Sequence, residues 1–177
     1  MGIQTTYNKP ASGLPGMIYD ARNRTVVTRA ASGNPGDIKY GYGVMQGDVP
    51  GVNIAANDGT ATEATWEGVV VGGDSLEREY PGAAERIPVG GNLHVLQQGA
   101  AWVQLTGTPD GTTGDTTYPE IAYGEPVYMS ADGTFDNTAG VLLNARFLGE
   151  ETIDGAAPVE FFGGVMAVSG GDSEEEG

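Results

Sequence analysis

Asp-Gly pairs punctuate this chain at Asp58-Gly59, Asp110-Gly111, Asp132-Gly133 and Asp154-Gly155. An aspartate side chain bonds the backbone two residues on, and glycine accepts positive φ without steric cost, so each pair predicts a tight turn. Between the turns lie short runs of β-branched and aromatic residues. Strands and turns in that rhythm predict an all-β fold, a compact β-barrel or β-sandwich. The expected strands are residues 64–71, 93–97, 101–105, 126–129, 142–148 and 158–162. Helical signal is nearly absent; residues 74–77 carry a capping-box pattern, with Pro81 as a stop.

Period-two patterning assigns faces. Ala101, Val103 and Leu105 share one side of their strand, opposite Trp102 and Gln104, which predicts a half-buried strand. Leu143, Ala145 and Phe147 do the same further on. Gln98-Gly99-Ala100 separates two runs and reads as a hairpin turn at Gly99. Asp132-Gly133 turns residues 126–129 back toward Thr134-Phe135. Gly163-Gly164 reads as a bend in a closing strand that continues through residues 165–168.

Charge divides the chain into parts. Residues 1–39 hold five basic and two acidic residues, a net +3. Residues 40–177 hold three basic and twenty-two acidic residues, a net −19. The first segment, with Pro10, Pro15 and Pro35, is expected to be an extended arm with one short strand at residues 25–28. Residues 40–168 are expected to form the β-domain, and residues 169–177 a disordered acidic tail. Residues 106–125 form a long connection with little pattern, the kind that is often functional.

The same composition argues against several function classes. A body this acidic is expected to stay soluble and to avoid nucleic acid, which needs a cationic face. There is no Cys, which removes thiol catalysis and Cys-based metal sites. The single histidine, His94, lies in a strand-like run, and no G-x-S-x-G elbow accompanies it. The loops from Asp110 and Asp132 miss the EF-hand pattern, since Thr134 and Asn137 stand where a ligand and a glycine belong. Gly41-Tyr42-Gly43 lacks the Lys-Ser/Thr of a phosphate loop. Residues 1–7 have neither the basic region nor the apolar run of a secretory leader, and no apolar stretch is long enough for a membrane helix. The expectation is a non-enzymatic binding protein with no cofactor, no bound metal and no membrane partner.

Aromatic residues Trp66, Trp102, Phe135, Phe147, Phe161 and Phe162 fall in expected strands and are read as core. Tyr7, Tyr19, Tyr40 and Tyr42 lie in or beside the arm, where tyrosine suits an interface because it buries area and keeps a polar tip.

The ordered set of motifs resembles the cement, or head decoration, proteins of tailed bacteriophages. The likeness rests on Ile3-Gln4-Thr5-Thr6-Tyr7, residues 13–20, Arg29 and residues 37–47. The body adds Ala101-Trp102-Val103, residues 124–129 before the Asp132-Gly133 turn, and Asn144-Ala145-Arg146-Phe147. The resemblance implies a structural protein on the outer surface of an icosahedral head, present in the host cytoplasm during assembly. It implies binding across junctions between major capsid protein subunits, commonly as a homotrimer. On that footing Tyr7, Met17, Tyr19, Arg22, Arg24 and Arg29 are the expected capsid-binding residues of the arm. Tyr118 and Tyr123, in the long connection, are the expected oligomer or surface-loop residues. The alternative is a glycan- or receptor-binding β-module on a virion or cell surface.

Overall fold

The computed structural model describes residues 13–33, 38–62, 64–72, 91–112, 114–149 and 155–163. Those residues are strands and turns throughout. Nine strands form one sheet: β1 (Ile18–Ala31), β2 (Gly43–Gln46), β3 (Asn53–Ala56), β4 (Trp66–Val71), β5 (Asn92–Gln104), β8 (Pro126–Met129), β9 (Phe135–Asp136), β10 (Val141–Phe147) and β11 (Ala156–Phe161). Two short strands, β6 (Thr108–Pro109) and β7 (Thr116–Thr117), form a separate hairpin.

The long strand β5 organises the sheet. It runs antiparallel to β1 from Asn92 to Ala101, to β4 at residues 94–96 and to β11 at residues 99–104. From β5 the pairings pass through β4, β2, β3 and β1 and return to β5. A second path runs through β11, β10, β8 and β9, and a bridge between Phe135 and Leu105 brings it back to the end of β5.

Two apolar clusters match these two paths. One gathers Ile38, Val44, Ile54, Val70, Leu93 and Val95. The other gathers Val69, Val71, Leu96, Val103, Phe135, Phe147 and Phe161. Neighbours on β4 and β5 separate between the clusters, Val70 from Val69 and Val95 from Leu96, as the alternation of side chains along a strand requires.

The Asp-x-Thr steps explain where several acids go. Asp58 accepts from the backbone N–H and hydroxyl of Thr60 at 3.0 and 2.5 Å. Asp132 does the same with Thr134 at 3.0 and 2.6 Å, and Asp136 with Thr138 at 2.8 and 2.7 Å. These carboxylates close turns. The Thr60 hydroxyl and then its N–H hold the Asp58 carboxyl below its ordinary pKa.

Several expectations change. Gly99 makes no hairpin: β5 passes straight through it as a continuous strand. The short strand expected at residues 25–28 is the fourteen-residue β1. Residues 18–31 are therefore sheet rather than arm, and Ile38 is core. Their outward side chains are mostly exposed, so β1 is held by backbone pairing and shows no apolar alternation to read. Trp102 is buried as well as its strand neighbours, because Gly13 lies against its indole and leaves no space for a Cβ. The long connection carries the β6–β7 hairpin and the buried Ile121. The strands at residues 126–129, 142–148 and 158–162 correspond to β8, β10 and β11. Residues 1–12, the capping box at 74–77, the closing strand at 165–168 and the tail at 169–177 lie outside the described residues.

Candidate interaction surface

Between Asp20 and Thr25 the register of β1 on β5 shifts, so that residues 21–24 stand opposite the single residue Gly99. Asn23 takes a left-handed φ of 52° in this bulge. Gly99 has φ +116°, and a Cβ there would lie 3.0 Å from Arg24 Cβ. A glycine is needed at this point for the bulge to approach β5. On the other side of the groove, β10 and β11 place Arg146 directly opposite Glu160.

A cleft of about 520 Å³ opens between these walls. Tyr19, Arg22, Gly99, Arg146, Glu160 and Phe162 line it, among others. Arg22 donates from Nε and Nη2 to Asp20, at 3.0 and 2.7 Å to Oδ2. The Arg22 side chain is 86% exposed. Its guanidinium and backbone N–H hold the Asp20 carboxyl down at about 2. Arg146 donates from Nε and Nη2 to Glu160 Oε2 at 2.9 and 2.7 Å, an opposite-charge pair across two strands.

Aromatic rings frame the charges. Arg146 lies over the Phe162 ring at 5.3 Å and the Tyr123 ring at 5.8 Å. Tyr19 meets Trp102 edge to face at 5.8 Å. Tyr123, Tyr19 and Phe162 remain 62%, 45% and 43% exposed. Arg, Tyr and Phe gathered in this way have the composition of an interface hot spot.

Some of the expected residues meet here and others do not. Tyr19 and Arg22 line the cleft, Arg24 stands at its bulge, and Tyr123 reaches it through Arg146. Met17 belongs to the approach to β1; its backbone carbonyl accepts from Trp102 N–H at 2.8 Å. Arg29 is elsewhere, bonded to the buried Glu67 at 2.8 Å. Tyr118 packs on the core, with Gly107 and Gly155 against its ring. Tyr7 lies outside the described residues. Sequence reasoning read Phe162 as core, whereas it is exposed just past the end of β11; it missed Glu160 and assigned Arg146 no role. Phe162 follows a run of core residues, and only the β10–β11 register brings Arg146 to Glu160.

Among solved structures, this fold is similar to a chain in "The capsid of Myoviridae Phage XM1", at a TM-score of 0.57 and 17% identity. The match covers 91% of this chain and 97% of that one. No curated protein matches. The model of the phage structural cement protein (E217 gp24/Pam3 gp6) matches residues 3–169, so this chain belongs to that family and serves as structural cement of a phage capsid.

Proposed function

We propose that this cement protein binds the outer surface of an icosahedral head and bridges neighbouring major capsid protein subunits as a homotrimer. One observation carries the reading beyond the family role. The chain has a net charge of −16, yet two of its eight basic side chains, Arg22 and Arg146, line one cleft together with exposed aromatics. That contrast gives the molecule one adhesive region and a remaining surface that repels copies of the virion. Residues 1–12 serve as the arm and add a strand to an exposed edge of a neighbour. The two returning paths of strand pairing close as two small barrels that share β5.

Repetition over a closed lattice turns modest contacts into high avidity. A protein that binds only the assembled shell stabilises it by mass action. No catalytic step is required of any residue. The test is co-sedimentation of the purified protein with emptied heads that lack it, followed by heating. The reading predicts saturable binding and genome-free shells that break at a higher temperature. Protein left in the supernatant at saturating concentration, or shells no more heat-resistant than before, would overturn it.

A further inference from the structure

The chain enters the sheet through one tight turn, Leu14-Pro15-Gly16-Met17, and that turn is fastened on several sides. Met17 N–H donates to Leu14 O at 3.0 Å, and Gly16 has the φ of 86° that a Pro-Gly turn needs at its third residue. Leu14 N–H donates to Met17 Sδ at 3.3 Å. Gly16 N–H donates to Trp102 O at 2.7 Å, and its carbonyl accepts from Gly72 N–H at 3.0 Å. Trp102 N–H returns a bond to Met17 O at 2.8 Å. Three glycines let the turn sit flush on the body. Gly41 lies against Pro15, and a Cβ on Gly16 would come within 2.7 Å of Tyr40 Cβ. Gly13, the first described residue, lies against the Trp102 indole, where no Cβ fits.

This seat is on the cleft side of the sheet. Trp102 and Ala100 are two residues apart on β5, so their side chains share a face, about 7 Å apart along the strand. Ala100 lines the cleft. Tyr19, another lining residue, meets the Trp102 ring edge to face at 5.8 Å. The indole thus stands between Gly13 and the wall of the cleft. Whatever path residues 1–12 take, they join the body beside the cleft and on the same face of β5.

We infer that Gly13 and Trp102 are positioning residues for capsid attachment: the indole seats the root of the arm beside the cleft, so that arm and cleft grip the shell as one two-point contact. The inference rests on the reading of residues 1–12 as an attachment arm. Two linked contacts bind with an effective concentration set by the tether between them. A fixed root keeps that tether short and aimed, and a loose root gives the advantage up. The seat acts through placement and touches no partner itself.

Titration of the full chain onto emptied heads lacking the protein tests it. Gly13→Ala drives a methyl into the indole and is expected to unseat the root. A four-residue Gly/Ser insert between residues 12 and 13 leaves the seat intact and loosens the arm beyond it. Each is expected to weaken binding about tenfold, through lost effective concentration. In chains lacking residues 1–12, Gly13→Ala is expected to leave the remaining affinity unchanged, because there is no arm left to aim. In a Trp66→Phe background, Gly13→Ala is expected to shift Trp102 emission to the red as the indole is uncovered; unchanged emission would overturn the seat. Full affinity in both full-chain variants overturns the inference. So does an equal loss from Gly13→Ala with and without residues 1–12, which would make the role of the glycine structural. If Gly13→Ala lowers the thermal midpoint enough to unfold the body, the insert alone decides. Full binding by the chain that merely lacks residues 1–12 overturns the arm reading, and failure of the wild type to bind heads overturns the cement reading itself.

Discussion

Arg29 reaches across β5 from β1 to donate from Nε to Glu67 Oε1 on β4, at 2.8 Å. The two side chains are 18% and 6% exposed, and Gln97 Nε2 of β5 donates to the same oxygen at 3.0 Å. This staple ties three strands together through one carboxylate. Removing Arg29 would leave a buried carboxylate without its countercharge, and water cannot replace it cheaply. Arg29→Met is expected to lower unfolding stability by about 3 kcal/mol, read as a lower urea midpoint. Adding Glu67→Gln to that variant should restore part of the loss. An unchanged midpoint in the single variant would remove the staple from the account.

The bulge over β5 depends on Gly99. Any side chain there adopts φ +116° with strain and meets Arg24 at 3.0 Å. Gly99→Val is expected to cost about 1–3 kcal/mol, with the thermal midpoint lowered accordingly. Amide shifts should change at residues 20–25, where the bulge must move. Shifts confined to the far end of β5, near Asn92, would contradict the assignment.

Acidification should destabilise the fold, with the direction fixed by linkage. Asp20 is held at about 2 in place of its ordinary 3.8, by the Arg22 side chain first and the Arg22 backbone N–H second. Asp58 is lowered by Thr60, and Glu125 by the N–H of Ala122 and the amide of Asn137. Between the two values for Asp20 the unfolded chain binds more protons than the folded one, so stability rises with pH. The contribution is complete above the unfolded value and disappears as pH falls through the folded one. The urea midpoint should therefore drop between about pH 5 and about pH 2, and Asp20→Asn should make that drop shallower. A midpoint constant across this range would contradict the carboxylate pairings.

The proposed arm predicts a clean separation of folding from attachment. Gly16 N–H donates to Trp102 O at 2.7 Å and Trp102 N–H to Met17 O at 2.8 Å, so the body is tied down from Gly16 onward. Deleting residues 1–12 should leave the thermal midpoint within about 2 °C of the full chain, since every contact among the strands of the described body remains. The truncated protein should bind heads more weakly. Full binding by the truncated chain would confine attachment to the body.

Much of the fold could be read because its central strands carry strong patterns. The period-two order of Leu143, Ala145 and Phe147 gave β10 and its face, and Asp132-Gly133 gave the turn between β8 and β9. The failures share a cause. β1 is mostly exposed and earns its place by backbone pairing, which leaves no hydrophobic signature in Ala21-Arg22-Asn23-Arg24. Gly99 looks the same in a hairpin turn and in a strand that lets a neighbour approach. The cleft was half legible: Tyr19 and Arg22 stood out as an aromatic and a cation in an acidic chain. Arg146, Glu160 and Phe162 join them only through the register of β10 on β11 and of β11 on β5. Arg29 misled for the opposite reason, since a cation beside others in sequence can turn inward to a buried partner.

A three-dimensional reconstruction of decorated heads tests the central claim most directly. The account predicts density for this protein on the outer surface, spanning junctions between capsid subunits, with the cleft of Arg22 and Arg146 against the shell. Density confined to the interior, or an outer position with that cleft facing solvent and untouched by any neighbour, would contradict it.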